Sequence, residues 1–174
     1  QIEPKVLVAV DGYYYNDKIV DCMERLAAIT DGLPSVKRVV VVPYVHAHHD
    51  ISHVHHARML ADFVRPFLDQ TEIPFARLPF DHPLYIMYSS GTTGVPKCIV
   101  HGAGGVLLQH SKEHRLHCDV KPGDKLFYFT TCGWMMWNWL VSGLASGATL
   151  LLYDGSPMIG DGAILFDYAQ AEGM

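Results

Sequence analysis

An α/β fold, with strands sandwiched by helices, is what this sequence predicts, and three observations carry the expectation. Short apolar runs rich in β-branched residues alternate with segments whose apolar positions recur every three or four residues. Clusters of Gly, Pro, Asp and Ser punctuate the boundaries between them. Of 174 residues, 49% are apolar and 18% charged, which suits a packed core and is too apolar for a disordered chain.

The elements follow in order. Lys5 to Val10 reads as a strand. Asp17 opens a helical pattern carried by Ile19, Val20, Met23, Leu26, Ala27 and Ile29, and Asp31-Gly32-Leu33-Pro34 ends it with turn chemistry. Val39 to Val42 is a continuous apolar strand that reads as covered on both faces. Strand, helix and strand of these lengths form a βαβ unit, which predicts parallel pairing and a right-handed crossover. A histidine-rich stretch (His46, His48, His49, His53, His55, His56) comes next, read as a solvated loop entering a helix from Ala57 to Leu68. Imidazoles are good ligands for zinc or copper, so a metal site is the other reading. It needs partners that fix the rings in three dimensions, and a linear cluster holding no Cys and one carboxylate, Asp50, does not display them.

Leu78 to Pro83 is a Pro-bracketed linker into a strand, Leu84 to Tyr88, read as buried. A helix is expected from Val106 to Cys118, with Lys112, Glu113 and Arg115 on its wet face. Between Lys125 and Asp154 lie 28 residues with no formal charge, long enough to cross a bilayer. Gly133, Ser142, Gly143, Ser146 and Gly147 interrupt them, so they divide instead into a strand (Lys125 to Thr130), a buried helix (Trp134 to Ala145) and a second strand (Thr149 to Tyr153). Along that helix, Trp134, Trp137, Val141 and Leu144 are expected to share one face.

Charge and cysteine content narrow the function. Thirteen Lys and Arg against eighteen Asp and Glu leave a net charge of −5 with no basic run, a poor match for the phosphates of a nucleic acid. Four cysteines without CxxC spacing read as free thiols in a reducing compartment. Gln1 in first position and a helix-like stretch before Met174 read as a piece of a longer chain.

The chemistry concentrates in Ser89-Ser90-Gly91-Thr92-Thr93-Gly94-Val95-Pro96-Lys97, directly after an apolar strand. Glycines let backbone N–H groups turn toward an anion, the four hydroxyls add neutral donors, and Lys97 adds a full charge. A polyphosphate needs that combination. The run is not a Walker A loop, because Pro96 precedes Lys97 and Cys98 follows it; nor does it have G-x-G-x-x-G spacing. On composition alone, a plain Ser/Gly hairpin turn competes with the phosphate-binding reading.

The ordered series Ser89 to Lys97 resembles the phosphate-binding signature of the adenylate-forming superfamily, which includes acyl-CoA synthetases, peptide-synthetase adenylation domains and luciferases. Leu84 to Tyr88, Cys98 to Gly102, Gly133 to Trp139 and Leu152 to Pro157 resemble, within it, the acyl-CoA synthetases that activate acetoacetate. The likeness runs over the whole chain, most clearly from Leu78 to Pro157, and covers a minority of the family's length.

The resemblance implies that residues 1–174 are part of the large N-terminal domain of an adenylate-forming enzyme, without its C-terminal lid domain. It implies an ATP-dependent acid–thiol ligase that joins acetoacetate, or a similar short keto or carboxylic acid, to coenzyme A through an acyl-adenylate, with Mg²⁺ as cofactor. Ser89, Ser90, Gly91, Thr92, Thr93, Gly94 and Lys97 would hold the ATP phosphates. Trp134, Met135 and Asn138 would line the acyl pocket. Asn138 stands where acetyl-CoA synthetases usually have a histidine, which argues against acetate and for a small polar keto acid. The family's catalytic residues and metal ligands lie downstream, so none is expected within the chain and the chain alone is expected to be inactive. His101 reads as a half-buried ring satisfied by backbone, with a substrate-facing imidazole as the alternative. The expected partners are small molecules in the cytosol, with neither nucleic acid nor a membrane span, and the oligomeric state stays open. A non-catalytic interaction or regulatory protein keeping the loop as a structural turn is the rival reading.

Overall fold

Three valines organise the first unit. In a computed structural model, which describes residues 1–89 and 94–174, the chain divides into two compact units, Gln1–Phe75 and Ala76–Met174. Strand β1 (Val6–Val10) pairs in parallel with β4 (Arg38–Val42), and β4 pairs in parallel with β5 (Ala57–Met59), giving the order β1-β4-β5. Val39 and Val41 pack with Met23, Leu26, Val36 and Val54, while Val40 on the opposite face is also buried. A central parallel strand has to be apolar on both sides, and this one is. The strand–helix–strand reading and its parallel register hold.

Two elements of this unit differ from the sequence expectation. The helix does not begin at Asp17. Residues Gly12–Tyr15 (β2) and Lys18–Asp21 (β3) form an antiparallel hairpin instead, and helix α1 runs from Met23 to Asp31. Asn16 and Asp17 hold φ of 50° and 60°, the left-handed pair that a two-residue hairpin turn requires. Ile19 and Val20 therefore belong to a strand. The expected helix from Ala57 to Leu68 is instead β5, a short helix α2 (Leu60–Val64) and a 3₁₀ turn over Arg65–Phe67. Pro66 has no N–H to give to a helical carbonyl, which limits α2 to its few residues.

A buried carboxylate ties the loop after β4 to the sheet. Asp11, 0% exposed, accepts the backbone N–H groups of Tyr44 (2.7 Å), Val45 (3.0 Å) and His46 (2.8 Å). Burial works to raise the pKa of this acid, but the hydrogen bonds from Val45, Tyr44, His46 and Gly12 outweigh it and hold it below the ordinary aspartate value.

In the second unit, β6 (Pro83–Ser89) and β7 (Lys97–Gly102) form an antiparallel hairpin, followed by helix α3 (Ala103–Lys112) and a π-helical turn over Glu113–His117. Strand β8 (Lys125–Phe127) pairs in parallel with β9 (Thr149–Leu151), and between them run α4 (Met135–Ser142) and a 3₁₀ turn (Gly143–Ser146). Helix α5 (Ile164–Glu172) follows. The uncharged stretch is thus strand, helix and strand, and among the described residues no helix is long and apolar enough to cross a membrane. The strands end earlier than expected, at Phe127 and Leu151.

His114, 0% exposed, joins the π-helical turn to α4. Its ring lies 4.2 Å from that of Trp139, and its Nε2 sits 2.9 Å from the Trp139 carbonyl and 3.0 Å from Ser142 Oγ. The Trp139 carbonyl can only accept, so Nε2 carries the proton.

Two expectations of burial fail here. Strand β6 is not buried on both sides: Leu84, Ile86 and Tyr88 are exposed, while Tyr85 and Met87 are half-buried. A two-stranded hairpin covers one face, and the side chains alternate accordingly. Helix α4 is not buried all round either. Leu140 is fully buried, but Trp134 is 70% exposed and has extended backbone (φ −116°, ψ 151°) just before the helix. Trp134 therefore does not share a helical face with Trp137, and Leu144, in the 3₁₀ turn, is exposed.

Candidate functional site

The register of the β6–β7 hairpin sets the first half of the site. Ser89 pairs with Lys97 at the end of this hairpin. Ser90, Gly91, Thr92 and Thr93 lie outside the described residues. Gly94 has φ +94°, where a side chain would be strained. Lys97 is exposed and has no carboxylate partner among the described residues, so its ammonium is available to an anion.

The second half is a cavity of about 570 Å³ in the same unit. Tyr85 and Met87 of β6 and His101 of β7 form one wall, α3 brings His110, and α4 brings Met135 and Asn138. The half-buried positions of β6 therefore face this space and the exposed ones turn away from it. Asn138 Nδ2 donates to Met87 Sδ at 3.8 Å. Sulfur is a weak acceptor, so the amide can exchange it for a better one.

Two histidines are among the polar groups of the cavity wall, with Gln109, Glu113 and Asn138. Burial, then His114, push the pKa of His110 below the ordinary imidazole value, with Glu113 opposing, so this ring is neutral near pH 7. Its Nδ1 is buried without a hydrogen-bond partner among the described residues. A neutral imidazole there can donate or accept one hydrogen bond without adding a charge to the wall. His101 is half-buried and lines the cavity, and its ring makes no hydrogen bond among the described residues, so the expected backbone partner for the ring is not found.

The residues singled out in the sequence are thus divided in space. Met135 and Asn138 reach the cavity, whereas Trp134 lines a neighbouring hollow of about 330 Å³ with Phe129, Thr130 and Thr131. Sequence reasoning missed His110, Tyr85, Met87 and Trp139 as cavity residues. Alternation along β6 would have found Tyr85 and Met87 once a hairpin was assumed. The four-residue spacing of His110 and His114 is the signal that both ride one face of α3 and its continuation.

The β6–β7 hairpin thus ends at Ser89 and Lys97 and lends Tyr85, Met87 and His101 to the cavity. The sequence profile of the AMP-binding enzymes matches residues 1–174, and the chain belongs to that family. It is 57% identical over 173 residues to the acetoacetyl-coenzyme A synthetase of Rhizobium meliloti, covering 99% of this chain and 26% of that protein. With the acetoacetyl-CoA synthetase of Gallus gallus it shares 50% identity over 171 residues, 96% of this chain and 26% of the relative. Among solved structures, the acetoacetyl-CoA synthetase of Streptomyces lividans matches with a TM-score of 0.89 and 40% identity, over 99% of this chain and 26% of that one. The chain therefore spans about a quarter of the length of the relatives it matches.

Proposed function

We propose that residues 1–174 form part of the N-terminal domain of an ATP-dependent acid–thiol ligase for acetoacetate or a similar short keto acid, with a C-terminal lid domain outside this chain. The observation that carries the reading is the pairing of Ser89 with Lys97 at the end of a hairpin whose inner wall, Tyr85 and Met87, also lines the cavity. One strand pair then serves both reactants. Its end holds the phosphates of ATP, and its face receives the acyl group. Relatives named for acetoacetyl-CoA synthesis, 50–57% identical over nearly all of this chain, support the same assignment.

The carboxylate oxygen of the acid attacks the α-phosphorus, forming the acyl–phosphate bond as the bond to pyrophosphate breaks. Negative charge gathers on the departing oxygens. Lys97, the hydroxyls of Ser89, Ser90, Thr92 and Thr93, and the backbone N–H groups freed by Gly91 and Gly94 stabilise that charge more than they stabilise bound ATP. The sulfur of coenzyme A, its thiol proton released to solvent, then bonds to the acyl carbon as the carbon–oxygen bond to AMP breaks and AMP leaves with that electron pair. In the cavity the Asn138 amide and the neutral His110 ring are among the donors that can reach a keto oxygen, while Met135 and Met87 surround the short chain. When bound, Mg²⁺ would supply positive charge against the phosphates of ATP. On the family resemblance, we assign the ion's protein ligands to residues outside this chain. The reaction uses small molecules only, and the cytosol is its proposed compartment.

The test is ATP–pyrophosphate exchange driven by acetoacetate in the intact polypeptide, with and without Lys97→Ala. Removal of one charge-stabilising donor costs about 10²–10³ in rate. Exchange that continues unchanged in Lys97→Ala would end the assignment of this residue to the leaving group.

A further inference from the structure

The histidine-rich loop acquires in three dimensions what it lacks in sequence. Asp21, at the end of β3, stands against His46 and His49 of the loop after β4, and one ligand atom from each lies within 4.8 Å of the others. This is the only such group of His, Cys, Asp and Glu among the described residues. Asp21 is remote in sequence, which is why the linear pattern showed no carboxylate but Asp50. We propose that Asp21, His46 and His49 form a binding site for a divalent transition-metal ion, with zinc as the occupant.

The spacing already fits. Asp21 Oδ2 and His49 Nε2 are 3.1 Å apart. Two ligands of a tetrahedral zinc at its usual N and O distances stand roughly 3.3 Å from each other. In the metal-free protein a proton on Nε2 fills the gap; the ion replaces that proton. Two imidazoles and a carboxylate form a donor set that suits zinc and its first-row neighbours and leaves a fourth position open.

Two of the three ligand side chains, His49 and Asp21, are held from behind, and the third, His46, is fixed through its backbone. His49 Nδ1 lies 3.3 Å from the Asp50 carbonyl, which fixes the proton on Nδ1 and leaves Nε2 for the ion. Asp21 Oδ1 accepts the Met23 N–H at 2.8 Å, which leaves Oδ2. The backbone of His46 is anchored through its N–H to the buried Asp11 at 2.8 Å, and its ring packs edge-on to that of His49, centroids 5.3 Å apart. His55, by contrast, pairs with Asp31 at 3.7 Å, away from this group. An ion here clamps the β2–β3 hairpin and the start of α1 to the loop after β4.

The experiment is a zinc titration of tag-free, chelator-stripped intact polypeptide in competition with a chromophoric chelator. The expected result is one equivalent bound, weakened by more than about tenfold in Asp21→Asn and in His49→Ala. A combined His48→Ala, His53→Ala, His55→Ala and His56→Ala variant should keep wild-type affinity. Asp21→Asn retains an acceptor for the Met23 N–H, and thermal melts of every variant in chelator verify folding. The proposal is overturned if no one-equivalent site is found, if Asp21→Asn and His49→Ala bind zinc as the wild type does, or if the combined variant abolishes binding.

Discussion

Replacing Asp11 with alanine tests whether one carboxylate organises the loop after β4. It removes three charge-assisted hydrogen bonds of 2.7, 3.0 and 2.8 Å and empties a fully buried position. Hydrogen bonds to a charged group are worth about 1.5–3 kcal/mol each. Tyr44 and His46 are exposed residues whose amides can turn to water once the carboxylate is gone, so the net loss falls well short of the sum. About 3 kcal/mol is the expected cost of Asp11→Ala, and about half of that for Asp11→Asn, which keeps one acceptor oxygen. The assay is amide hydrogen exchange by NMR. The N–H groups of Tyr44, Val45 and His46 should exchange faster by a factor of about 150 in the alanine variant. A rise below about fivefold at all three amides would refute the role given to Asp11. The pH dependence has a definite sign. The folded-state pKa of Asp11 lies below its ordinary value, so the stabilisation is complete above the unfolded value near 3.8 and is lost as pH falls through the lower folded value. Protection of the same three amides should therefore persist at mildly acidic pH and fade only in strong acid.

Other outcomes follow from the packing. His114→Ala removes a fully buried ring together with its bond to the Trp139 carbonyl, and should destabilise the second unit by about 3 kcal/mol in urea unfolding followed by indole fluorescence. A loss under about 1 kcal/mol would mean that α4 does not depend on this ring. Gly147→Ala places a Cβ 3.0 Å from Pro122 Cβ at a position with φ +79°, and should cost about 1–2 kcal/mol in the same assay. His49 should titrate above the ordinary imidazole value in metal-free protein, because its hydrogen bond to Asp21 favours the charged ring; Asp21→Asn should return it toward that value. By linkage, that pair contributes stability fully below about pH 6.5 and loses it as pH rises through the higher folded value of His49. NMR titration of the ring protons checks both the direction and its dependence on Asp21.

The parts of the fold legible in the sequence are those set by local pattern. Val39 to Val42 needed no partner to declare a two-faced strand, and Gly133, Gly143 and Gly147 were enough to break an uncharged stretch of membrane-spanning length. The apolar strand before the Ser89–Lys97 series was legible in the same way, whereas the pairing of Ser89 with Lys97 across a hairpin came only from the structure. What escaped depended on single residues or on contacts far apart in sequence. Two left-handed residues, Asn16 and Asp17, turned a helix-like apolar spacing into a hairpin. Trp134 shares its helix's apolar periodicity yet stands outside it, because the helix begins one residue later. His110 entered the cavity only through the packing of α3 with α4, and Asp21 reached the histidine loop across 25 residues of chain to His46.

All three indoles of the protein fall within six consecutive residues, Trp134 to Trp139. Selective excitation of tryptophan therefore illuminates one corner of the second unit and is blind to the first, whose aromatic absorbance comes from tyrosine and phenylalanine. Trp139 borders the larger hollow and Trp134 the smaller, so a molecule settling in either displaces solvent from an emitter already in place. The chain carries its own optical gauge of occupancy, with no dye to attach.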